Sequence, residues 1–164
     1  MTRIETDYLV TNSKGPTMKI QPFVVTPKDY ARSLDVVGEK ITVLASKTST
    51  QGYEIFRQEG AEGTGPPPRS HDWDESFYVV NGTVEIGYAD STVTATPGTL
   101  VHLPSGTVHS FRFGAGGGQM ISVTGQSGLA SQLFTDIDRE IPPGPPDIAK
   151  LIEVGQRNGV TLAV

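Results

Sequence analysis

The chain has 164 residues, of which 36% are hydrophobic; this is enough for one domain with a proper core and is not the composition of a disordered chain. Its net charge of -5 argues against a broad binding surface for nucleic acid or for an anionic membrane. It contains no Cys, which excludes disulfides and thiolate metal sites, so any metal must be held by nitrogen and oxygen donors. We therefore expect a small molecule as the partner.

The N-terminal segment, residues 1–16, is polar and ends in a loop-like run from Asn12 to Pro16, so it predicts an arm that is loose or packed on a partner. Residues 17–164 form a single predicted domain. The N-terminus has no apolar run of signal-peptide length, and no stretch approaches the roughly 20 apolar residues of a membrane span. We expect a cytoplasmic protein that does not associate with membranes.

The segment that begins at Thr26 has the pattern of a helix start. Thr26 is a favoured cap residue, Pro27 suits the first turn, and Asp29 places an acid at the third position. We expect a short surface helix that begins here and ends before Gly38.

From Ile41 to Val123 the chain consists of short runs rich in β-branched and aromatic residues, separated by turn residues. The predicted strands cover residues 41–46, 53–58, 75–80, 83–88, 91–95, 99–103, 108–113 and 119–124. Asn81-Gly82 predicts a β-hairpin with a type I′ turn, and the glycines between 114 and 118 predict a flexible loop. This pattern indicates an all-β protein with a closed or double-sheet antiparallel architecture.

The hydrophobic periodicity changes in the C-terminal quarter. Leu129, Leu133 and Ile137 recur at helical spacing, and Ile148 and Leu151 do so again after a proline-rich break. We predict two helices within residues 127–158 that cover one mouth or edge of the barrel. The final TLAV can add a last strand.

Two glycine-bounded segments contain the residues that are best suited to bind a metal or to take part in catalysis. Residues 63–82 have the spacing Gly63, five residues, Arg69-Ser70-His71, three residues, Glu75, six residues, Gly82, and residues 98–113 contain Gly98, Pro104, Gly106, His109 and Phe113. Strand alternation places Glu75 and Phe77 on one face, and it gives His109, Phe111 and Phe113 a common face. If both faces point into a barrel, Glu75 and His109 lie in a partly dry pocket.

These segments resemble the two signature motifs of the cupin superfamily, and the sequence around them is similar to small single-domain cupins of the quercetin 2,3-dioxygenase-like kind. The first motif departs from the pattern at Arg69, where the family has a His, and the second departs at Phe113, where the family has an Asn. The resemblance covers roughly residues 63–113. It implies a cupin double-stranded β-helix, a jelly-roll barrel with short C-terminal helices, and a homodimer.

The resemblance also implies a metal site, because metal-binding cupins use two His and a Glu from the first motif and a His from the second. His71, Glu75 and His109 would be three of these four ligands. Such a set suits Fe, Mn, Ni, Co or Zn and leaves open positions on the ion. Arg69 cannot replace the missing ligand, because its protonated guanidinium has no lone pair to donate.

Arg69 leaves two interpretations open. In the first, the protein is a metal-dependent enzyme, a dioxygenase acting on a phenolic or enolic substrate, in which Glu75 also moves a proton and Arg69 fixes an anionic group of the substrate. The substrate pocket would contain Arg69, Phe77, His102, Phe111 and Phe113. An isomerase or a lyase could use the same metal. In the second, Arg69 pairs with Glu75 in place of the metal, and the protein binds a small ligand without turnover.

The residues between His71 and Glu75 are expected to support the site. Asp72 and Asp74 could accept a hydrogen bond from His71 and orient it, although a solvated acidic loop is the commoner meaning of such a pair. Trp73 is expected to pack in the core. His102 could line the pocket or lie on the outside of its strand, and we do not expect it to be a metal ligand.

Overall fold

The computed structural model describes residues 20–163, so the predicted polar arm, residues 1–16, lies outside the described residues. Within residues 20–163, nine antiparallel strands form one sheet that curls into a half-barrel. The predicted all-β, jelly-roll class with short C-terminal helices is confirmed. No helix in this part of the chain is long and apolar enough to cross a membrane.

Eight of these strands precede the two longer helices along the chain, and the ninth follows them. The strands are β1 (Leu34–Val36), β2 (Glu39–Ala45), β3 (Glu54–Gly60), β4 (Arg69–His71), β5 (Glu75–Tyr88), β6 (Ser91–Ala95), β7 (Leu100–Leu103), β8 (His109–Thr124) and β9 (Val160–Leu162). The helices are a 3₁₀ turn (Pro27–Asp29), α1 (Lys47–Thr50), α2 (Ala130–Glu140) and α3 (Ile148–Arg157).

Two long strands, β5 and β8, pair with each other along most of their length. The predicted hairpin at Asn81-Gly82 is therefore wrong, because β5 continues through it with irregular register on either side. Gly82 does have positive φ, at 72°, and a side chain there would overlap the carbonyl oxygen of Gly117 on β8. The predicted loop at 114–118 is likewise part of β8. A β-bulge that lies close to the neighbouring strand and a type I′ turn thus both need a glycine at position 82.

The N-terminal helix prediction is correct at its start and wrong in its length. The carboxylate of Asp29 accepts hydrogen bonds from the amide and hydroxyl of Thr26, which caps the 3₁₀ turn. The chain then enters β1, which pairs with β2 through a tight turn whose residues Val37 and Gly38 both have positive φ. Gly38 therefore belongs to a hairpin and does not end a helix.

The two C-terminal helices and the last strand are confirmed. Asp147 caps α3 by accepting from the amide of Lys150, and the buried side chains of Asp136 and Asn158 join the two helices by a hydrogen bond of 3.0 Å. Buried residues of α2 and α3, including Leu133 and Leu151, pack with apolar residues of the sheet in one hydrophobic cluster. The helices therefore cover one side of the curled sheet.

The register of the sheet positions the predicted site. Arg69 on β4 lies directly opposite His109 on β8, as expected for neighbouring strands of one barrel. Glu75 lies opposite Thr124 at one end of the β5–β8 pair, and His109 lies at the other end of this pair. Because the sheet curls, side chains from the two ends of the β5–β8 pair meet in its interior.

Candidate metal centre

Three side chains from three strands converge in the interior of the sheet. His71 ends β4, Glu75 begins β5 and His109 begins β8, and one donor atom from each lies within 4.8 Å of the others. All three are buried, with 8% or less of each residue exposed. The structure thus brings together the three residues that the motif resemblance implies as ligands.

Both imidazoles are fixed by backbone carbonyl groups. Nδ1 of His71 lies 2.9 Å from the carbonyl oxygen of Trp73, and Nδ1 of His109 lies 2.8 Å from that of Thr107. A carbonyl oxygen can only accept, so each Nδ1 carries the proton, and in the neutral ring Nε2 keeps a lone pair. This arrangement is the one that metal-binding imidazoles usually have.

The free Nε2 atoms point at the same carboxylate oxygen. Oε2 of Glu75 lies 3.1 Å from Nε2 of His71 and 3.3 Å from Nε2 of His109. With neutral rings, three sets of lone pairs would face one another, and this requires a proton or a cation between them. Donor atoms on one transition-metal ion, with bonds of about 2.1 Å, lie about 3 Å apart at right angles, so the residues present fit such an ion.

Glu75 is ionised in this environment. Burial alone would raise the pKa of Glu75, but when both rings are protonated, the hydrogen bonds donated by Nε2 of His109 and of His71, together with the charge of Arg69, outweigh it and lower the pKa well below its usual range. The carboxylate is therefore available as an anionic ligand at neutral pH.

Arg69 supplies a second possible cation. Its Nη2 lies 3.7 Å from Oε2 of Glu75, which is longer than the roughly 2.7 to 2.9 Å of a good charge-assisted hydrogen bond. Its guanidinium carbon lies 5.5 Å from the ring centroid of Phe111, and its Nη1 has no hydrogen-bond partner among residues 20–163. Burial lowers the pKa of Arg69, and the charges of Glu75 and Glu39 oppose that effect.

Aromatic rings surround the three candidate ligands. The indole of Trp73 stacks on the imidazole of His71, with centroids 4.1 Å apart and planes 4° from parallel. Phe77 lies 6.3 Å from the ring of His109 and 5.3 Å from that of Phe111, measured between centroids. Phe113 follows at 5.7 Å from Phe111. These rings make one side of the site apolar.

His102 needs correction as a pocket residue, whereas Asp72 and Asp74 take the commoner of their two expected roles, an exposed acidic loop. His102 does not line the interior, because it is exposed on β7 and its Nδ1 lies 2.9 Å from the hydroxyl of Ser76. The partner of His71 is the carbonyl group of Trp73, and Asp74 instead accepts from the backbone amide of Ser105. Asp72 is exposed.

Further buried polar side chains were not identified from the sequence. Glu39 and Gln58 are 3% and 2% exposed, and each has a side-chain oxygen without a hydrogen-bond partner among the described residues. Each is two residues from a buried apolar residue of its strand, Ile41 and Phe56, so strand alternation could have placed both in the interior. Burial raises the pKa of Glu39 to about 8.

Comparison with known proteins identifies the fold. Residues 56–122 match the family described as "Cupin domain". Similar solved structures include a RmlC-like cupin from Shewanella frigidimarina, which is 15% identical with a TM-score of 0.58 over 65% of this chain and 92% of that chain. No curated protein sequence matches the chain.

Two further structures share this fold. The polyketide cyclase RemF from Streptomyces resistomycificus is 19% identical, with a TM-score of 0.55 over 64% of this chain and 80% of that chain. KdgF from Halomonas sp. is 20% identical, with a TM-score of 0.51 over 54% of this chain and 81% of that chain. The domain match over residues 56–122 and these similar structures together show that the chain has the cupin fold.

Proposed function

We propose that the protein is a metal-dependent cupin that binds one divalent transition-metal ion through His71, Glu75 and His109 and acts on a small molecule. The observation that supports this best is the convergence of Nε2 of His71 and Nε2 of His109 on one carboxylate oxygen of Glu75, in rings whose Nδ1 protons are held by carbonyl groups. Only a positive charge at the centre makes that arrangement favourable. Fe, Mn, Co, Ni and Zn all accept such ligands.

The metal, when bound, would supply a Lewis acid and, if redox-active, a site for dioxygen chemistry. The chain's own residues have separate roles in this proposal. Arg69 holds an anionic group of the substrate beside the ligands, and Phe77 and Phe111 exclude water. Glu75 is ionised, so it can also accept a proton from a substrate that approaches its carboxylate.

The finer proposal is a dioxygenase that acts on a phenolic or enolic substrate, as the motif resemblance implies. Two imidazoles and one carboxylate with open positions are typical of non-haem iron oxygenases. The same set serves an isomerase or a lyase that uses the metal as a Lewis acid only. Oxygen consumption, followed with quercetin and with acetylacetone as trial substrates, separates the reactions, because an isomerase or lyase converts its substrate equally well under anaerobic conditions.

A second candidate function is binding of a small ligand without metal. The observation that favours it is the position of Arg69, whose Nη2 lies 3.7 Å from Oε2 of Glu75 and can partly neutralise that carboxylate. In this case the two imidazoles need protons in place of the ion.

The metal content of the protein, purified without a metal-affinity tag, tests the first proposal against the second. We expect about one ion per chain by plasma mass spectrometry, lost in the His71→Ala, His109→Ala double variant and kept in His102→Ala, which changes an exposed histidine outside the site. Wild-type protein that is free of metal and binds no added Fe(II), Mn(II), Co(II), Ni(II) or Zn(II) would contradict the proposal. Light scattering tests the homodimer that the resemblance implies.

A further inference from the structure

A cavity lies between the curled sheet and the two C-terminal helices. It has a volume of about 70 Å³ and is open at its mouth, and this is well below the roughly 300 to 1,000 Å³ of typical ligand pockets, so it admits only a small ligand. Its walls are mostly apolar and come from both sides, with Ile41 and Phe111 from the sheet and Leu133, Ile137 and Leu151 from the helices. The three candidate metal ligands do not line it, whereas Arg69 does.

Three polar side chains interrupt the apolar wall. Arg69, Glu39 and Gln58 all line the cavity, and each has one atom without a hydrogen-bond partner among residues 20–163: Nη1 of Arg69, Oε2 of Glu39 and Oε1 of Gln58. A buried polar atom without a partner destabilises the protein, because it has lost its hydrogen bonds to water. Three such atoms on one cavity indicate a ligand that supplies the missing partners, because ligand pockets combine apolar walls with a few convergent polar groups.

The charges in the cavity select the kind of ligand. The side chain of Arg69 is 12% exposed, and its ion pair with Glu75 is long, at 3.7 Å. Glu39 is a weak counter-ion for Arg69 at neutral pH, because burial raises the pKa of its carboxyl group to about 8 and keeps it mostly protonated at pH 7. One cation, two neutral polar groups and apolar walls fit a molecule with an apolar body and a single anionic oxygen.

We infer that this cavity binds the apolar body of a small organic monoacid, with the anionic oxygen of the acid at Nη1 of Arg69. Glu39 and Gln58 then select ligands that carry a further polar group on the same body. The inference rests on the proposed function, since Arg69 would present the acid to His71, Glu75 and His109. It can nevertheless be tested without a metal, because the cavity and Nη1 belong to the protein alone.

The test uses the full-length protein after treatment with EDTA, with benzoate as the probe and neutral benzamide as its isostere, in isothermal titration calorimetry at pH 7. We expect saturable binding of benzoate to one site and affinity for benzamide that is lower by about tenfold or more, because only benzoate pairs with the guanidinium. Equal affinity for the two probes, or no binding of benzoate, would overturn the inference.

Variants locate the binding in the cavity. Arg69→Gln should weaken benzoate binding by about tenfold or more, since it removes the charge, and Arg112→Gln, an exposed arginine on β8, should leave it unchanged. Ile137→Phe keeps Arg69 and fills part of the cavity, so it should weaken the binding of both probes. It provides the test if Arg69→Gln does not fold. Benzoate binding that survives in Ile137→Phe and Arg69→Gln would exclude the cavity.

A separate titration with Co²⁺ keeps this inference distinct from the proposed function. If benzoate binds through Arg69 and Co²⁺ does not bind, the metal-dependent function fails and the cavity site stands. If Co²⁺ binds through His71 and His109 and benzoate does not bind, the cavity inference fails and the metal site stands.

Discussion

Nη2 of Arg69 lies 3.7 Å from Oε2 of Glu75, the same oxygen that both imidazoles of the candidate metal centre approach. A metal ion bound to that oxygen would lie close to the guanidinium and be repelled by it. An anion that binds between the ion and Arg69 would remove this repulsion. Metal and anionic ligand are therefore expected to strengthen each other's binding, by the same factor in both directions.

The variant Arg69→His tests whether Arg69 limits metal binding. The substitution removes the cation and adds an imidazole opposite His109 on the neighbouring strand. We expect the affinity for Co²⁺ to rise by about tenfold or more, a change of about 1.4 kcal/mol, measured by calorimetry. Arg69→Gln is the matched control, because it removes the charge without adding a ligand, and its smaller gain measures the repulsion alone.

The same variant also tests the metal-free alternative. If Arg69 is the main partner of Glu75, its removal leaves a buried carboxylate with less compensation, at a cost of about 3 to 5 kcal/mol. Chemical denaturation in EDTA measures this cost. A large loss of stability together with unchanged Co²⁺ affinity would favour the ligand-binding protein over the metal enzyme.

Trp73 provides a direct optical signal for the metal site. It is the single Trp of the chain, and its indole stacks on His71 at a centroid distance of 4.1 Å. Co²⁺ bound by His71 should therefore quench the Trp fluorescence in a saturable manner at one ion per chain. Zn²⁺, which is diamagnetic, should displace Co²⁺ and restore the signal.

Two histidine variants assign this signal. His109→Ala keeps the stacked pair and removes a ligand, so it should weaken the quenching by Co²⁺. His102→Ala changes an exposed ring on the outer face of β7 and should behave like the wild type. Quenching that is the same in all three proteins would place the ion elsewhere on the chain.

The protonation of Glu39 makes the stability of the fold depend on pH. Burial raises the pKa of Glu39 from about 4.5 to about 8 in the folded chain. Between these values the folded state keeps a proton that the unfolded state has lost, so stability falls as pH rises through this range and levels off above pH 8. The loss amounts to a few kcal/mol, since one pKa unit corresponds to about 1.4 kcal/mol.

Glu39→Gln removes this titration while keeping the shape and polarity of the side chain. Urea denaturation of the wild type and the variant between pH 5.5 and 8.5 measures the difference between their stabilities, in which the other titrating groups cancel. We expect the variant to gain stability relative to the wild type as pH rises. A constant difference across this range would show that Glu39 does not keep its proton.

The sequence predicted the parts of the site that depend on local pattern. Alternation along β5 and β8 grouped Glu75 with Phe77 and grouped His109 with Phe111 and Phe113, and all of these residues are buried in the structure. The cavity beside Arg69 could not be predicted in this way. It exists because α2 and α3 pack against the sheet at a particular distance, and only the tertiary structure determines that distance.

The segment around Asn81 and Gly82 shows a different limit. The Asn-Gly pair is the strongest short-range signal for a hairpin, yet the chain continues through it as one strand. Gly82 has positive φ in a hairpin turn and also in the observed bulged strand, so the local backbone preference of glycine cannot distinguish these two conformations. The pairing with β8, more than thirty residues away in sequence, decides the outcome.

Gly82→Ala tests this explanation against a glycine with similar backbone geometry. At Gly82, φ is 72°, and an added Cβ would overlap the carbonyl oxygen of Gly117 on β8. At Gly98, φ is 90°, and an added Cβ meets no heavy atom of the described residues within 4 Å. Gly98→Ala should therefore cost about 1 to 2 kcal/mol, the strain of left-handed backbone alone.

Gly82→Ala should cost more, about 3 kcal/mol or above, because the two long strands must also separate. Urea denaturation of both variants and the wild type measures the two losses. Metal content gives a second readout, since Glu75 and His109 lie near opposite ends of the β5–β8 pair, and a shift between these strands would move them apart. Equal losses of stability in the two variants would mean that the close contact between Gly82 and Gly117 does not constrain the pairing of β5 with β8.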